Sequence, residues 1–229
     1  MNLDKKMTLG DIVLAYPNTI NVMNKYKIDY CCNGHETLAL AIDKNEQKEE
    51  KIISDLQEAM TDQKPSEIVD WKAKKPSELI DYILEHHHNY TKAVLAELNE
   101  LVFTVLKVHF ANHSQQLLQV HHLVGILKTE LEAHLVKEEE NLFPLIKEYE
   151  VNHSGEIKEK ILEFINSTED EHDIAGNLFK ELENVTNNFL APEDVCASYR
   201  RVFQLIDALE KDIFNHIHLE NSVLFKMID

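Results

Sequence analysis

The sequence contains few of the residues that interrupt helices, with only five glycines and five prolines among 229 residues. Runs in which apolar β-branched residues alternate with polar ones, the pattern of half-buried strands, are absent. Glu, Lys, Leu and Ala dominate instead, and these residues favour helices. The composition therefore predicts an all-α protein with room for one good-sized domain and a smaller one.

Positive charge and long hydrophobic runs are also lacking. The 23 Lys and Arg are outnumbered by 41 Asp and Glu, which gives a formal net charge of −18. Nucleic acids and anionic membranes bind basic patches, so we expect neither as a partner. No apolar run approaches the roughly 20 residues that a membrane span needs, and the first residues contain no apolar signal core. We therefore expect a cytoplasmic protein.

Cysteine is scarce as well. Two of the three cysteines are adjacent, Cys31 and Cys32, and an odd number with this spacing is not a disulfide framework. The pair lies in the segment 28–35, where Asn33-Gly34 is typical of a turn. A loop dithiol can bind iron, transfer it or pass electrons. Two buried and inert thiols are the alternative, and the sequence leaves both open.

Histidine is in excess, with 13 residues, and the chain repeats one motif that contains it. His134 lies four residues before Glu138, and His216 lies four residues before Glu220, 82 residues later. In both copies a Leu-Phe pair follows the Glu at the same offset. Residues i and i+4 share one face of a helix. Each copy therefore directs an imidazole and a carboxylate at one point.

The repeat extends upstream of both copies. His88 and His172 are separated by 84 residues, as are Leu98 and Leu182. The repeated unit is thus a helix with one His followed by a helix with His-x-x-x-Glu. Two such units predict an antiparallel four-helix bundle with pseudo-twofold symmetry and with four His and two Glu directed inward.

This inward set suits a pair of iron ions. It contains no thiolate, which argues against structural zinc or an iron–sulfur cluster at these positions, and six ligands are too many for one tetrahedral zinc. Four imidazoles and two bridging carboxylates suit two octahedral irons, with positions left for an oxo or hydroxo bridge and a small ligand. We therefore expect two non-haem iron ions, Fe(II) or Fe(III), as the cofactor.

Composition changes along the chain divide it into three parts. Residues 1–60 have the pattern of a small helical domain, and 61–77 is a polar linker with two copies of Lys-Pro-Ser-Glu. Residues 78–229 form the bundle. Its four helices are predicted near 78–108, 113–149, 155–189 and 193–227.

Three segments resemble a known family. Asp29-Tyr-Cys-Cys-Asn-Gly-His35 is similar to the N-terminal signature of the bacterial iron–sulfur cluster repair di-iron proteins, although that family usually has Gly in place of Asn33. His87-His88-Asn-Tyr90 resembles its first ligand helix, and Glu171-His172-Asp-Ile-Ala-Gly176 resembles a later one. The resemblance implies an all-α chain, with a small N-terminal Cys-Cys domain and a C-terminal haemerythrin-like antiparallel four-helix bundle.

The resemblance also implies a ligand set and a function. The family's iron ligands fall on the six repeated positions, which are His88, His134, Glu138, His172, His216 and Glu220. The implied function is repair of iron–sulfur clusters damaged by nitrosative or oxidative stress, with damaged iron–sulfur proteins as partners and iron or electrons as what is supplied. A haemerythrin-like sensor or reservoir for NO or O2, and a di-iron NO reductase, are the alternatives. No catalytic residue is assigned, and enzyme activity and homo-oligomer formation stay open.

Single residues leave further alternatives. His87 competes with His88 for the inward position, and the repeat selects His88. His109 fits either a group that orients a metal ligand or an ordinary histidine at a helix C-terminus. For Glu139 and His218 the spacing favours a solvated face.

Overall fold

The computed structural model describes residues 3–45, 47–62 and 69–228. Residues 63–68, which belong to the predicted linker 61–77, lie outside the described residues.

Most of the described residues are helical. Their only β contact is one isolated antiparallel bridge between Thr8 and Thr37. The all-α prediction is therefore confirmed, because the sequence offers few helix breakers and many strong helix formers. Within the same ranges, no helix combines the length and hydrophobicity that crossing a bilayer requires.

The chain folds into two compact units. The first contains Met1–Leu79 together with Phe214–Asp229, and the second contains Ile80–Ile213. The last helical turns of the chain, which include the second His-x-x-x-Glu motif, thus belong to the same unit as the cysteine pair.

Threonine caps organise the N-terminal part of the first unit. This part contains four short helices: α1 (Leu9–Ala15), α2 (Thr19–Lys25), α3 (Leu38–Asp43) and α4 (Glu49–Thr61). The Thr8 hydroxyl accepts a hydrogen bond from the Asp11 amide at 3.2 Å, and the Thr37 hydroxyl accepts one from the Leu40 amide at 3.4 Å. Such caps satisfy amides that the first turn leaves unpaired. They fix the start of α1 and of α3, and the cysteine loop lies between α2 and α3.

The rest of the chain is built from long helices joined by short turns. The elements in order are a 3₁₀ turn (Trp71–Ala73), α5 (Pro76–Tyr82), a π turn (Ile83–His88), α6 (Asn89–Lys137), a π turn (Glu138–Leu142), α7 (Phe143–Asn152), α8 (Gly155–Thr186), α9 (Ala197–Leu219), a π turn (Glu220–Leu224) and a 3₁₀ turn (Phe225–Met227).

Helix α6 is two helices that meet at a kink. His113 has φ −129° and ψ 20°, which is outside the helical region. Lys92 contacts Glu139 at 2.7 Å and the ring of Phe103 lies 5.9 Å from that of His121, so the two halves run antiparallel. The chain therefore reverses at His113, close to the predicted break between the first two bundle helices.

Contacts among the two halves of α6, α8 and α9 complete the bundle in the second unit. Arg201 binds Glu97 through two hydrogen bonds of 2.8 and 3.0 Å, and the side-chain amide of Gln116 donates to the Val185 carbonyl at 2.8 Å. Left-handed residues end two of the helices, His153 after α7 and Asn187 after α8. Between the helices lies a fully buried apolar core that includes Leu98, Leu127, Phe179 and Leu209.

Candidate metal centre

Three π turns coincide with the predicted ligands. Glu138–Leu142 and Glu220–Leu224 each begin at a predicted Glu ligand, and Ile83–His88 ends at a predicted His ligand. Pro144 predicts that the helix kinks or ends after the first motif, and the chain stays helical through α7. The second copy forms the same π turn with Lys226 at the matching position. The π turns therefore follow the motif rather than the proline. Single π turns inside helices occur frequently at functional sites.

In the second unit the predicted ligands surround one buried carboxylate. Glu138 is fully buried, and its Oε2 lies 3.3 Å from Nε2 of His88 and 3.4 Å from Nε2 of His134. The His172 ring centre lies 5.0 Å from that of His134. Ligand atoms of His134, Glu138 and His172 all lie within 4.8 Å of one another. Four predicted ligands are therefore grouped in this unit.

Two further carboxylates contact the Nδ1 atoms of the imidazole rings whose Nε2 atoms face Glu138. Glu139 Oε1 lies 2.7 Å from Nδ1 of His88, and Glu171 Oε2 lies 2.9 Å from Nδ1 of His134. A lysine contacts each carboxylate: Lys92 lies 2.7 Å from Glu139, and Lys137 lies 2.8 Å from Glu171.

Both carboxyl groups are kept ionised. Burial raises the pKa of Glu171, but the hydrogen bonds from His134 and Lys137 outweigh it and lower the pKa to about 2. The pKa of Glu139 is shifted by the same two effects. Burial raises it, but hydrogen bonds from Lys92 and His88 outweigh burial and lower it below its ordinary value. At neutral pH each ionised carboxylate therefore accepts a hydrogen bond from the Nδ1–H group that it faces.

The tautomer that results fits a metal ion. Because Nδ1 of His88 and of His134 faces an ionised carboxylate, Nε2 of either ring carries the lone pair when that ring is neutral, and this Nε2 faces Glu138. A lone pair and a carboxylate oxygen repel each other in a buried site. A cation between them makes both into ligands, and metal-binding histidines regularly donate the other ring N–H to a carboxylate. The donors present thus fit a divalent metal.

In the first unit the second motif has the same local geometry. His216 Nε2 lies 3.1 Å from Oε1 of Glu220, and both side chains are buried, with exposed fractions of 1% and 0%. The four-residue spacing on one helix produces this pair, as it produces the pair of His134 and Glu138. Each copy of the motif therefore buries a carboxylate against an imidazole.

The cysteine pair belongs to the same unit and consists of two free thiols. Cys31 is buried and Cys32 is half-buried, with their Sγ atoms 3.8 Å apart. The hydrogen bond with Cys32, together with burial, raises the pKa of the Cys31 thiol well above its ordinary value. Asp29 Oδ1 accepts from the Cys32 amide at 3.0 Å, and Asn33 Nδ2 donates to Asp29 Oδ2 at 2.9 Å. The Asn that departs from the family signature thus helps to close the loop.

Close packing attaches this loop to the turn that carries Glu220. Asn221 Nδ2 donates to the Cys31 carbonyl at 3.3 Å. A Cβ placed on Gly10 would lie 2.5 Å from Oγ of Ser222, and one placed on Gly34 would lie 2.8 Å from it. The two glycines are therefore needed for the approach and not for a left-handed turn, since no described glycine has positive φ.

Two histidines close in sequence to predicted ligands, His87 and His218, have definite partners. Nδ1 of His87 lies 3.0 Å from Asp212, whereas its neighbour His88 faces Glu138. His218 is buried against the Tyr30 ring, with centres 5.8 Å apart, so the expected solvated face was wrong. Burial also lowers the pKa of His218 to about 4.

His109 does not fit the expectation of a group that orients a ligand. Its Nε2 lies 3.2 Å from Sγ of Cys196. At 1.5 Å per residue, it is about 30 Å along the helix from His88, too far for contact.

Sequence reasoning missed the carboxylates that orient the imidazoles. Glu139 was expected on a solvated face, but it is half-buried and contacts His88 and Lys92. Glu171 belongs to the segment that resembles the family, and it contacts His134. Each is adjacent in sequence to a predicted ligand, Glu138 or His172, and that adjacency was the available signal.

Two family models match this chain. Residues 79–228 match the family model described as the hemerythrin HHE cation binding domain. The chain belongs to the hemerythrin HHE family. Residues 5–60 match a second model, ScdA_N, which is described as a domain of unknown function.

Relatives of this hemerythrin HHE protein align with nearly the whole chain, including the regions matched by both family models. It is 34% identical over 217 residues to the iron–sulfur cluster repair protein YtfE of Shigella boydii serotype 4, covering 95% of this chain and 94% of the relative. The YtfE protein of Escherichia coli strain K12 shows the same identity and coverage. The resemblance seen in the sequence is confirmed, and a cation-binding HHE domain with buried imidazole and carboxylate donors suits non-haem iron.

Proposed function

We propose that this chain is a cytoplasmic di-iron protein that repairs iron–sulfur clusters damaged by nitrosative or oxidative stress, by supplying iron or electrons. The observation that carries the proposal is the buried Glu138, which faces two imidazole Nε2 atoms whose Nδ1 atoms are bound to carboxylates. Its relatives of similar length are named as cluster repair proteins, and the similarity extends over 95% of this chain. Damaged iron–sulfur proteins are the partners that this proposal requires.

Six side chains form the proposed ligand set, with Glu138 and Glu220 as the bridging carboxylates: His88, His134, Glu138, His172, His216 and Glu220. The support is that each copy of the motif has the same local geometry and that the two copies are related by a constant offset in the sequence. Imidazole and carboxylate donors accept both Fe(II) and Fe(III). Two irons bound in this way would supply redox-active, exchangeable iron.

The chain's own residues prepare the site for release as well as for binding. Glu139 and Glu171 are partly exposed, 26% and 32%, so water reaches the carboxylates behind the buried rings. When iron leaves, Nε2 of His88 or His134 is available to accept a proton, and the ionised carboxylate at Nδ1 stabilises the imidazolium that forms. Lys92 and Lys137 hold these carboxylates in position.

The cysteine loop is the feature that favours repair over simple gas binding. Cys32 is the more accessible thiol of the pair, and the carbonyl of Cys31 is hydrogen-bonded to Asn221, the residue after the proposed ligand Glu220. A reservoir for NO or O2 needs ligands and a channel but no dithiol. We propose that the loop assists the transfer of iron or electrons to the client.

Transfer of labelled iron tests this function directly. The protein is loaded anaerobically with isotopically enriched Fe(II) and mixed with an aconitase-type enzyme whose cluster has been damaged by NO. We expect enriched iron in the client cluster and recovery of client activity, with little transfer from a Glu138→Gln variant. A Cys32→Ser variant that keeps its iron but transfers it more slowly would assign the loop its role.

The other outcomes separate the alternatives. Reversible uptake of NO without iron in the client would replace the proposal with a sensor or reservoir. Steady formation of nitrous oxide, again without transfer, would replace it with an NO reductase. Failure of the wild-type protein to retain iron after anaerobic purification would overturn the metal assignment itself.

A further inference from the structure

The cysteine loop of the first unit directs three metal-binding side chains at one point. Ligand atoms of Asp29, Cys31 and Cys32 all lie within 4.8 Å of one another. Adjacent side chains on an extended strand point to opposite sides. Here the chain turns, and Sγ of Cys31 lies 3.8 Å from Sγ of Cys32 and 3.3 Å from Oδ1 of Asp29. None of the three residues belongs to the ligand set proposed for the di-iron centre.

The distances between these ligand atoms fit one metal ion. With metal–sulfur bonds of about 2.3 Å, two thiolates on a tetrahedral ion lie roughly 3.8 Å apart. With a metal–oxygen bond of about 2.1 Å, a thiolate and a carboxylate oxygen lie roughly 3.6 Å apart. The observed distances of 3.8 and 3.3 Å are close to these values. A divalent ion that binds here displaces two thiol protons to solvent, so the charges of the two thiolates offset the charge of the ion.

The electrostatics of the loop favour a bound cation over a free nucleophilic thiolate. The hydrogen bond with Cys32 and burial raise the pKa of the Cys31 thiol, and the negative charge of Asp29 adds to the shift. A cysteine that acts as a nucleophile has a lowered pKa instead. A divalent cation reverses these effects, because a thiol that coordinates a metal ion is deprotonated.

Hydrogen bonds hold the carboxylate and the loop in place. Asn33 Nδ2 donates to Oδ2 of Asp29 at 2.9 Å, and the Cys32 amide donates to Oδ1 at 3.0 Å. Carboxylates that bind metal ions are regularly oriented by such contacts. Asn33 stands where the resembling family usually has Gly, which has no side chain to make the first contact. The residue that departs from the family signature therefore positions the carboxylate.

We propose that Asp29, Cys31 and Cys32 form a three-ligand site that holds one Fe(II) ion in transit to the client, with Asn33 as a positioning residue. Iron as the occupant rests on the proposed repair function. Three protein ligands leave the fourth position of a tetrahedral ion open. Asp29 and Cys32 are only half-buried, so a cysteine thiolate of the client reaches the ion from solvent. That thiolate forms a bond to iron as a bond to a loop thiolate breaks, the loop thiolate takes a proton from solvent, and the iron stays Fe(II).

Cobalt titration tests the site in the full-length, iron-loaded protein under anaerobic, reducing conditions. Co²⁺ bound to thiolates gives a near-ultraviolet charge-transfer band that a site of imidazoles and carboxylates lacks. We expect one equivalent of Co²⁺ to produce this band while the iron content stays constant. One equivalent of Zn²⁺ should remove the band, because thiolate ligands favour Zn²⁺. The absence of a band in the wild-type protein would overturn the proposal.

Matched variants locate the ligands. The double substitution Cys31→Ser/Cys32→Ser should abolish the band. Asn33→Gly should keep the band but weaken Co²⁺ binding by about 10–100-fold, since both thiolates remain and only the hydrogen bond to the carboxylate is lost. Cys196→Ser and Asp43→Asn, which change an exposed thiol and an exposed carboxylate, should alter neither the band nor the affinity. A band that survives the double substitution would overturn the site, and unchanged affinity in Asn33→Gly would overturn the positioning role.

Transfer of labelled iron to an NO-damaged client separates this proposal from the repair function. We expect one equivalent of Zn²⁺ to slow transfer from the wild-type protein. Transfer from Cys31→Ser/Cys32→Ser should already be slow and should not respond to Zn²⁺, and circular dichroism checks that this variant is folded. Transfer at the wild-type rate from the double variant would overturn the transit site and leave the repair function standing. A Co²⁺ band without any transfer from the wild-type protein would overturn the repair function, and with it iron as the occupant.

Discussion

Nδ1 of His134 lies 2.9 Å from Oε2 of Glu171, and the other oxygen of that carboxylate lies 2.8 Å from the ammonium of Lys137. The contact fixes which ring nitrogen carries the proton and so directs the Nε2 lone pair towards Glu138. Loss of such a partner typically weakens metal binding by about 10–100-fold. We expect Glu171→Gln to lower Fe(II) affinity by that amount, measured by competition with a chromophoric chelator.

The control for this substitution is Glu169→Gln, which removes an exposed carboxylate from the same helix. It should leave the affinity unchanged, because both variants lose the same charge and only one loses the contact. Glu171→Asp, which keeps the charge on a shorter side chain, should recover part of the affinity. Equal losses for Glu169→Gln and Glu171→Gln would show that overall charge, rather than the contact with His134, is responsible.

Replacement of Glu138 should remove the metal. The carboxylate is fully buried and lies 3.3 Å from Nε2 of His88 and 3.4 Å from Nε2 of His134. We expect Glu138→Gln, which keeps the size of the side chain and removes its charge, to lose most bound iron. Iron analysis measures the loss, circular dichroism checks that the variant is folded, and Glu140→Gln is the exposed control. A variant that retains its iron would contradict the assignment of Glu138 as a ligand.

The three thiols should react in a fixed order. Cys196 is exposed, Cys32 is half-buried and Cys31 is buried. Since the pKa of Cys31 is raised, its thiolate forms only at a pH above that of an ordinary cysteine. After removal of bound metal, we expect iodoacetamide to modify Cys196 first and Cys32 second at neutral pH. Cys31 should react only at strongly alkaline pH or after unfolding, and peptide mass spectrometry follows each site. Equal rates for Cys31 and Cys32 would be inconsistent with this loop.

Because Gly10 lies close to Ser222, we expect its replacement by alanine to destabilise the helix rather than to stabilise it. Gly10 lies in α1, where alanine is intrinsically favoured, but an added Cβ would lie 2.5 Å from Oγ of Ser222. We expect Gly10→Ala to destabilise the protein by about 1–3 kcal/mol. Gly125→Ala in α6, where a Cβ meets nothing within 4 Å, should stabilise it by about 0.5–1 kcal/mol. Urea denaturation measures both.

A double-mutant cycle checks the cause of that loss. Ser222→Ala removes the oxygen at 2.5 Å and leaves the Cβ at 3.1 Å, so it should partly restore the stability of Gly10→Ala. If the effects of the two substitutions simply add, the contact between α1 and the C-terminal turn is not what destabilises the variant.

The sequence by itself determined the helical class and the two pairs of His and Glu that are four residues apart. Periodicity and the scarcity of glycine and proline predict helices. A four-residue spacing places His134 over Glu138 and His216 over Glu220 on any helix, whatever that helix packs against. A second offset, of 84 residues, relates His88 to His172 and identified these two histidines as well.

Only the tertiary structure decided which groups surround those ligands. Glu139 is 51 residues from His88, and Glu171 is 37 residues from His134, so their contacts depend on how the chain reverses at His113 and packs in the bundle. No local pattern encodes such pairs. The structure likewise placed the cysteine loop and the second motif in one unit, because two glycines permit close packing against Ser222. Local spacing determines which side chains share one face of a helix, and tertiary packing determines which side chains from the rest of the chain contact them.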